Sequence, residues 1–229
     1  MFIGAGTAAI VGEGVGLPGI VAIAFAHGLA IMAFAFAFAY GSVSGGHMNP
    51  AVTVGVLAAG AMSVGEAIGY IVSQLIGGIA GALLLRTVLG GAETGLGMPA
   101  LAHNLALGAT SLTITPEAGF TIEALLAFFL VTVVLSTAVA GRAGSLAPLA
   151  IGLTLTFNIL MGGALTGAPF NPARALGPMV ATGNFSDAWL YLTAPIVGAI
   201  VAALLHTGLV RLARERAAEP GRAAQSPAE

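Results

Sequence analysis

The sequence predicts an all-α integral membrane protein: six spanning helices, the first truncated at its N-terminus, plus two half-helices in an inverted repeat. Three observations lead there. Of the 229 residues, 58% are hydrophobic and 7% charged, with a mean hydropathy of +1.01. A soluble domain carries about 25% charged residues, so most of this surface must face lipid. Apolar runs of about 20 residues, long enough to cross the hydrocarbon core as helices, recur along the chain. The triplet Asn-Pro-Ala occurs twice, at Asn49-Pro50-Ala51 and Asn171-Pro172-Ala173, and each copy opens an apolar segment too short to span.

Residues 1–11 are apolar but short, without the basic stretch or cleavage site of a signal peptide. They read as the remainder of a first helix, for a reason that the repeat supplies below. Full spans are expected at 18–40, 64–89, 120–140, 146–165 and 188–212. The alternating Ala-Phe run at 33–39 imitates strand periodicity, but it lies inside a long apolar segment and reads as helix. Half-helices are expected at 50–60 and 172–181. Pro sits in the first turn of each, where its missing N–H costs nothing, and the preceding Asn is a favourable N-cap. Gly77 and Gly81 have the spacing of a close helix contact. Trp189 and Tyr191 open the last span as an interfacial aromatic belt. Residues 90–117 form a mildly polar loop and 142–145 a short one. The segment 214–229 is charged and interrupted by Pro and Gly, and is expected to be a disordered cytoplasmic tail. The chain thus divides into a membrane domain, 1–213, with repeats at about 1–90 and 117–213, and the tail. Arg142 and the arginines from Arg211 onward share one side, which the positive-inside rule makes cytoplasmic. The absence of a targeting segment points to a plasma membrane.

The triplets lie 122 residues apart. Three crossings separate equivalent points, and an odd number inverts the second copy across the bilayer. Inverted repeats with broken helices are a mark of transport proteins. The same offset carries Glu123 back to position 1, so the early part of the first helix is expected to fall at or before Met1, as a misplaced start or a truncation would leave it. A half-helix N-terminus presents unpaired N–H groups and about half a positive charge. Two such ends facing each other repel cations and protons but not neutral molecules. The Asn49 and Asn171 amides can donate to a passing oxygen and orient it. The loop before each triplet can line a cavity, the only setting in which irregular backbone is tolerated at that depth. Arg174, a charge one turn into the second half-helix, sits against the local dipole, so a role in the pore explains it better than helix stability does.

The strings SGGHMNPAVTVG at 44–55 and GAPFNPARALGP at 167–178 resemble the aquaporin, or major intrinsic protein, family, and the resemblance covers about residues 1–212. It implies a homotetramer with one pore per subunit, passing water and small neutral solutes through the lipid bilayer. It also implies a filter that includes Arg174, Ala168 and Ile159. For the helix-2 position, counting back from Asn49 as in most relatives gives Leu29, whereas the string Ala26-His27-Gly28-Leu29-Ala30 is similar to relatives with His there and gives His27. His27, Ile159, Ala168 and Arg174 together are similar to the filter of plant tonoplast intrinsic proteins, which implies water and often ammonia, urea or hydrogen peroxide. Glycerol channels of the family usually carry Asp directly after the filter arginine; Ala175 stands here.

His47 is a candidate for the inner vestibule or for bracing its loop, and His103 a candidate for the outer mouth. Glu123 and Gln74 are expected to hold loop carbonyls or N–H groups, since a polar group facing lipid needs a partner. The chain has no cysteine and four histidines, so thiol chemistry, metal binding and a cofactor are not expected. No basic patch suggests nucleic acid, and no nucleophile–base pair suggests an enzyme. A secondary transporter is the rival reading. It needs a coupling carboxylate, for which only Glu66 and Glu123 lie on helices. A glycerol facilitator is the other alternative.

Overall fold

A computed structural model describes residues 1–11, 17–39 and 44–218. Eight α-helices succeed one another among these residues: α1 (Phe2–Val11), α2 (Leu17–Ala39), α3 (Pro50–Ala58), α4 (Val64–Val88), α5 (Pro116–Val134), α6 (Ala147–Thr166), α7 (Pro172–Thr182) and α8 (Ala188–Ala218). Five are long and apolar enough to cross a membrane; α1, at ten residues, is apolar but shorter. The expected pattern of long and half-length helices is therefore present. The loop after α4 adds a small antiparallel hairpin, β1 (Leu105–Leu107) with β2 (Thr110–Leu112).

Local chemistry sets the helix starts. Ser63 and Glu66 form a reciprocal capping box at the start of α4, with Ser63 N donating to Glu66 Oε2 at 2.8 Å. Thr115 caps α5 and Pro116 occupies its first turn, so this helix begins before the expected residue 120. The last helix runs past the expected boundary at 213 to Ala218. Its end is rich in good helix formers and carries an Arg211–Glu215 pair at i, i+4 with 2.8 Å between the charged groups. Of the expected tail, residues 214–218 are thus helical, and 219–229 lie outside the described residues.

Small residues decide which helices approach closely. The most extensive pairings are α2 with α6 and α5 with α8. A Cβ on Gly28 would fall 2.6 Å from the Gly152 carbonyl oxygen, and one on Gly152 would fall 2.7 Å from that of Gly28. The expected Gly77–Gly81 contact is not the one used: a Cβ on Gly77 would meet open space, and Gly81 lies beside Met1. The neighbouring Gly78 instead lets α4 reach α7, where an added Cβ would sit 2.4 Å from the Ala173 oxygen. One residue rotates the helix face by about 100°, and the buried stripe Gly78, Ala82, Leu85 faces α7 rather than lipid. Outward faces are dominated by apolar side chains, as with Ile76 at 63% and Leu204 at 62% exposure, the pattern lipid contact requires. The central cluster joins Val52 and Val56 of α3 to Leu126, Ile159, Phe170 and Ala199. The first residues of α3 and the loop that leads into α7 therefore meet in the middle of the bundle.

Candidate pore site

The two triplets adopt nearly the same conformation. Asn49 has φ −153° and ψ 119°, and Asn171 φ −151° and ψ 106°. Each caps its own half-helix: Asn49 Oδ1 accepts from Ala51 N at 2.9 Å, and Asn171 Oδ1 from Ala173 N at 3.0 Å and Arg174 N at 3.2 Å. Each amide nitrogen then crosses to the opposite loop. Asn49 Nδ2 donates to the Phe170 carbonyl at 3.0 Å, and Asn171 Nδ2 to the Met48 carbonyl at 2.9 Å. The half-helices are thus locked end to end by two exchanged hydrogen bonds. An amide nitrogen has two protons, so each asparagine keeps one for another acceptor.

The second loop is held in a conformation that side chains rarely adopt, with φ 42° at Ala168 and 29° at Phe170. Positions of this kind cost about 1–3 kcal/mol each and persist where the surroundings over-determine them. Here Glu123, wholly buried in α5, accepts from Thr166 Oγ1 at 2.6 Å and from Phe170 N at 2.7 Å. Thr166 Oγ1 also accepts from Ala168 N at 3.1 Å. The first loop is held from α4: Gln74 Nε2 donates to the His47 carbonyl and to Thr53 Oγ1. The His47 ring stacks at a tilt on Tyr70, 4.8 Å between centroids, and its Nδ1 lies 3.5 Å from Thr53 Oγ1. These contacts place His47 in the bracing of its loop.

Arg174 is buried at 9% exposure, and its Nε and Nη1 have no hydrogen-bond partner among the described residues. His27 is half-buried and lies within electrostatic reach of that guanidinium. Its Nδ1 faces the Ile23 carbonyl at 2.9 Å, and its ring packs where a side chain at position 4 would otherwise go. Leu29 points outward at 52% exposure. Two residues turn a helix by about 200°, so His27 and Leu29 cannot share a face. Ile159 and Ala168 are each 2% exposed and belong to one cluster with Leu126 and Phe170. His103 is exposed at the bend before β1. The outer end of α7 is held by Arg86, whose Nη1 donates to the Ala181 carbonyl at 2.8 Å; a cation suits a helix C-terminus.

Tyr191 differs from its expected role. It is wholly buried, and its hydroxyl donates to the Thr166 carbonyl at 2.9 Å. Trp189, 56% exposed and stacked on Phe120 at 6.0 Å, is the residue that faces outward as a belt would. Apolar neighbours on both sides made the two aromatics indistinguishable by pattern. Thr166 and Tyr70 also take part, and in the sequence only the match of Thr166 to Ser44 at the repeat offset points to either.

Comparison with known proteins agrees with this geometry. The family model described as Major intrinsic protein matches residues 1–206. Aquaporin TIP2-1 of Arabidopsis thaliana is 40% identical over 192 residues, 82% of this chain and 72% of that one. Probable aquaporin TIP3-2 of the same plant is 42% identical over 195 residues, 84% and 68% of the two chains. The X-ray structure of the aquaglyceroporin from Plasmodium falciparum superposes with a TM-score of 0.76 at 23% identity, covering 93% of each chain, and shares the fold. With paired half-helices, an inverted repeat and a match across most of its length, the chain belongs to the major intrinsic protein, or aquaporin, family.

Proposed function

We propose that this protein is a passive channel for water, with a filter of His27, Ile159, Ala168 and Arg174 and a central barrier at Asn49 and Asn171. The observation that carries the reading is the exchange of hydrogen bonds between the two asparagines and the opposite loops. It sets two positive helix ends against each other, which excludes cations. It also leaves one donor per asparagine to hold a water so that it cannot relay a proton. The unpaired Arg174 Nε and Nη1 suit a passing oxygen in the same way, since buried donors left unmet are costly. Among the described residues, the two carboxylates that a transporter was expected to use are already engaged. Glu66 is exposed and engaged in its capping box, and Glu123 is committed to the second loop. Ala175 after Arg174 speaks against glycerol.

Vesicles carrying the protein are expected to shrink faster than empty ones under an osmotic step, with a low activation energy and no response to a pH gradient. Rates equal to those of empty vesicles, or dependent on a proton gradient, overturn the reading. Ammonia, urea and hydrogen peroxide are the solutes that the filter composition suggests beyond water. His27→Phe is expected to lower ammonia and urea flux several-fold relative to water by narrowing the filter, while Leu29→Phe, on the outward face, leaves the ratio unchanged. The opposite result transfers the filter position to Leu29. The working unit we propose is a homotetramer in the plasma membrane, with Arg142, Arg211 and Arg216 on the cytoplasmic side. Native mass measurement and labelling from outside intact cells test these two points.

A further inference from the structure

The two pore loops are anchored in parallel by residues outside the filter and the triplets. Ser44 and Thr166 are related by the same 122-residue offset as the triplets. Each uses its side-chain oxygen to accept from the N–H two residues on: Gly46 N to Ser44 Oγ at 3.1 Å, and Ala168 N to Thr166 Oγ1 at 3.1 Å. A tyrosine near the start of the following spanning helix then reaches the same point in each loop. Gly45 N donates to the Tyr70 hydroxyl at 2.6 Å, and the Tyr191 hydroxyl donates to the Thr166 carbonyl at 2.9 Å. We infer that Tyr70 and Tyr191 are paired positioning residues, one per repeat, that fix where each pore loop leaves the preceding segment, and that Tyr191 thereby tunes solute selectivity.

The Thr166 carbonyl belongs to the last turn of α6, where carbonyls lose their helical partners. The chain then turns through φ 76° at Gly167 and 42° at Ala168. Rotation of the peptide after Thr166 would swing Ala168 and the Phe170 carbonyl that Asn49 holds. The hydroxyl of Tyr191, wholly buried, opposes that rotation, and water has no route to replace it. Tyr70 is half-buried beside a more exposed loop, so water can substitute there in part. The tyrosine at the filter end is accordingly the more consequential of the pair.

The selectivity half of this inference rests on the channel reading above; the anchoring half does not. The test uses the full chain in vesicles, with Tyr191→Phe, Tyr70→Phe and, as a control on the outward face, Trp189→Phe. Phe keeps the ring packing and removes only the hydroxyl. In Tyr191→Phe, the amides of Gly167, Ala168, Phe170 and Asn171 are expected to exchange with deuterium about tenfold faster, as loss of one buried hydrogen bond allows, with 44–49 unchanged. Tyr70→Phe reverses that pattern with a smaller effect, and at a half-buried site it does not threaten folding. The urea-to-water permeability ratio is expected to rise about threefold or more in Tyr191→Phe, a factor within reach of one lost hydrogen bond, and to stay at the parent value in the other two. Parent-like exchange in both loops overturns the anchors. Faster local exchange with an unchanged ratio overturns the selectivity role, and faster exchange everywhere reduces both residues to general stabilisers. If the parent protein itself conducts no water, the channel reading fails, while the exchange measurement still decides the anchors.

Discussion

Arg174→Ala is expected to raise urea and glycerol permeability about tenfold relative to water, a change of about 1.4 kcal/mol in discrimination, and to introduce a proton leak. The guanidinium lies in the first turn of α7, close to the positive helix end, where it adds a full charge to the half-helix barrier. With the proposed filter, removing it widens the constriction assigned to His27, Ile159 and Ala168 and lowers the barrier to cations. Folding should not suffer. No described residue accepts from Nε or Nη1, so alanine leaves none of those residues' acceptors unpaired. The thermal midpoint is therefore expected to hold or rise while selectivity falls. Solute and water flux measured on one preparation, with a melting curve, checks both. Unchanged selectivity would remove Arg174 from the filter.

The second large effect concerns Glu123. In Glu123→Ala the Thr166 hydroxyl and the Phe170 N–H lose their carboxyl acceptor in a site sealed from water. A buried donor left unmet costs about 1–3 kcal/mol, so with two such donors a loss of about 2 kcal/mol or more is expected, together with collapse of water flux. Without the carboxyl group, the strained backbone at Ala168 and Phe170 loses one of the contacts that oppose its relaxation. Glu123→Gln should be much milder. Its amide oxygen can keep the Phe170 N–H, and its NH2 can donate to Thr166 Oγ1, a hydroxyl that also accepts. The order, alanine far below glutamine and glutamine near the parent, distinguishes a brace from a proton carrier; a carrier would lose function equally in both. Melting curves and osmotic shrinkage of the three proteins read it directly.

The amount of the molecule visible in the chain varied with the kind of interaction. Asn49 and Asn171 were readable as caps because an N-cap depends on the next three residues. The half-helix lengths followed from Pro at one end and Gly or polar residues at the other. Glu123 and Gln74 were readable as loop braces, since a polar side chain in an apolar run has few other roles. Tyr191 was not, because an aromatic with a polar tip suits both a bilayer interface and a buried bond. Gly78 was hidden for a related reason: in α4 adjacent glycines offer two faces, and which one meets another helix is set by that helix.

Composition, periodicity and the repeated triplet were thus enough for the membrane class, the inverted repeat and the two helix ends that face each other. Each rests on local chemistry or on a pattern that recurs along one chain. The exchange of asparagine bonds between loops, the choice of His27 over Leu29 as the inward residue, and the burial of Tyr191 against Thr166 needed the folded chain. They join residues far apart in sequence, through distances that no local pattern encodes.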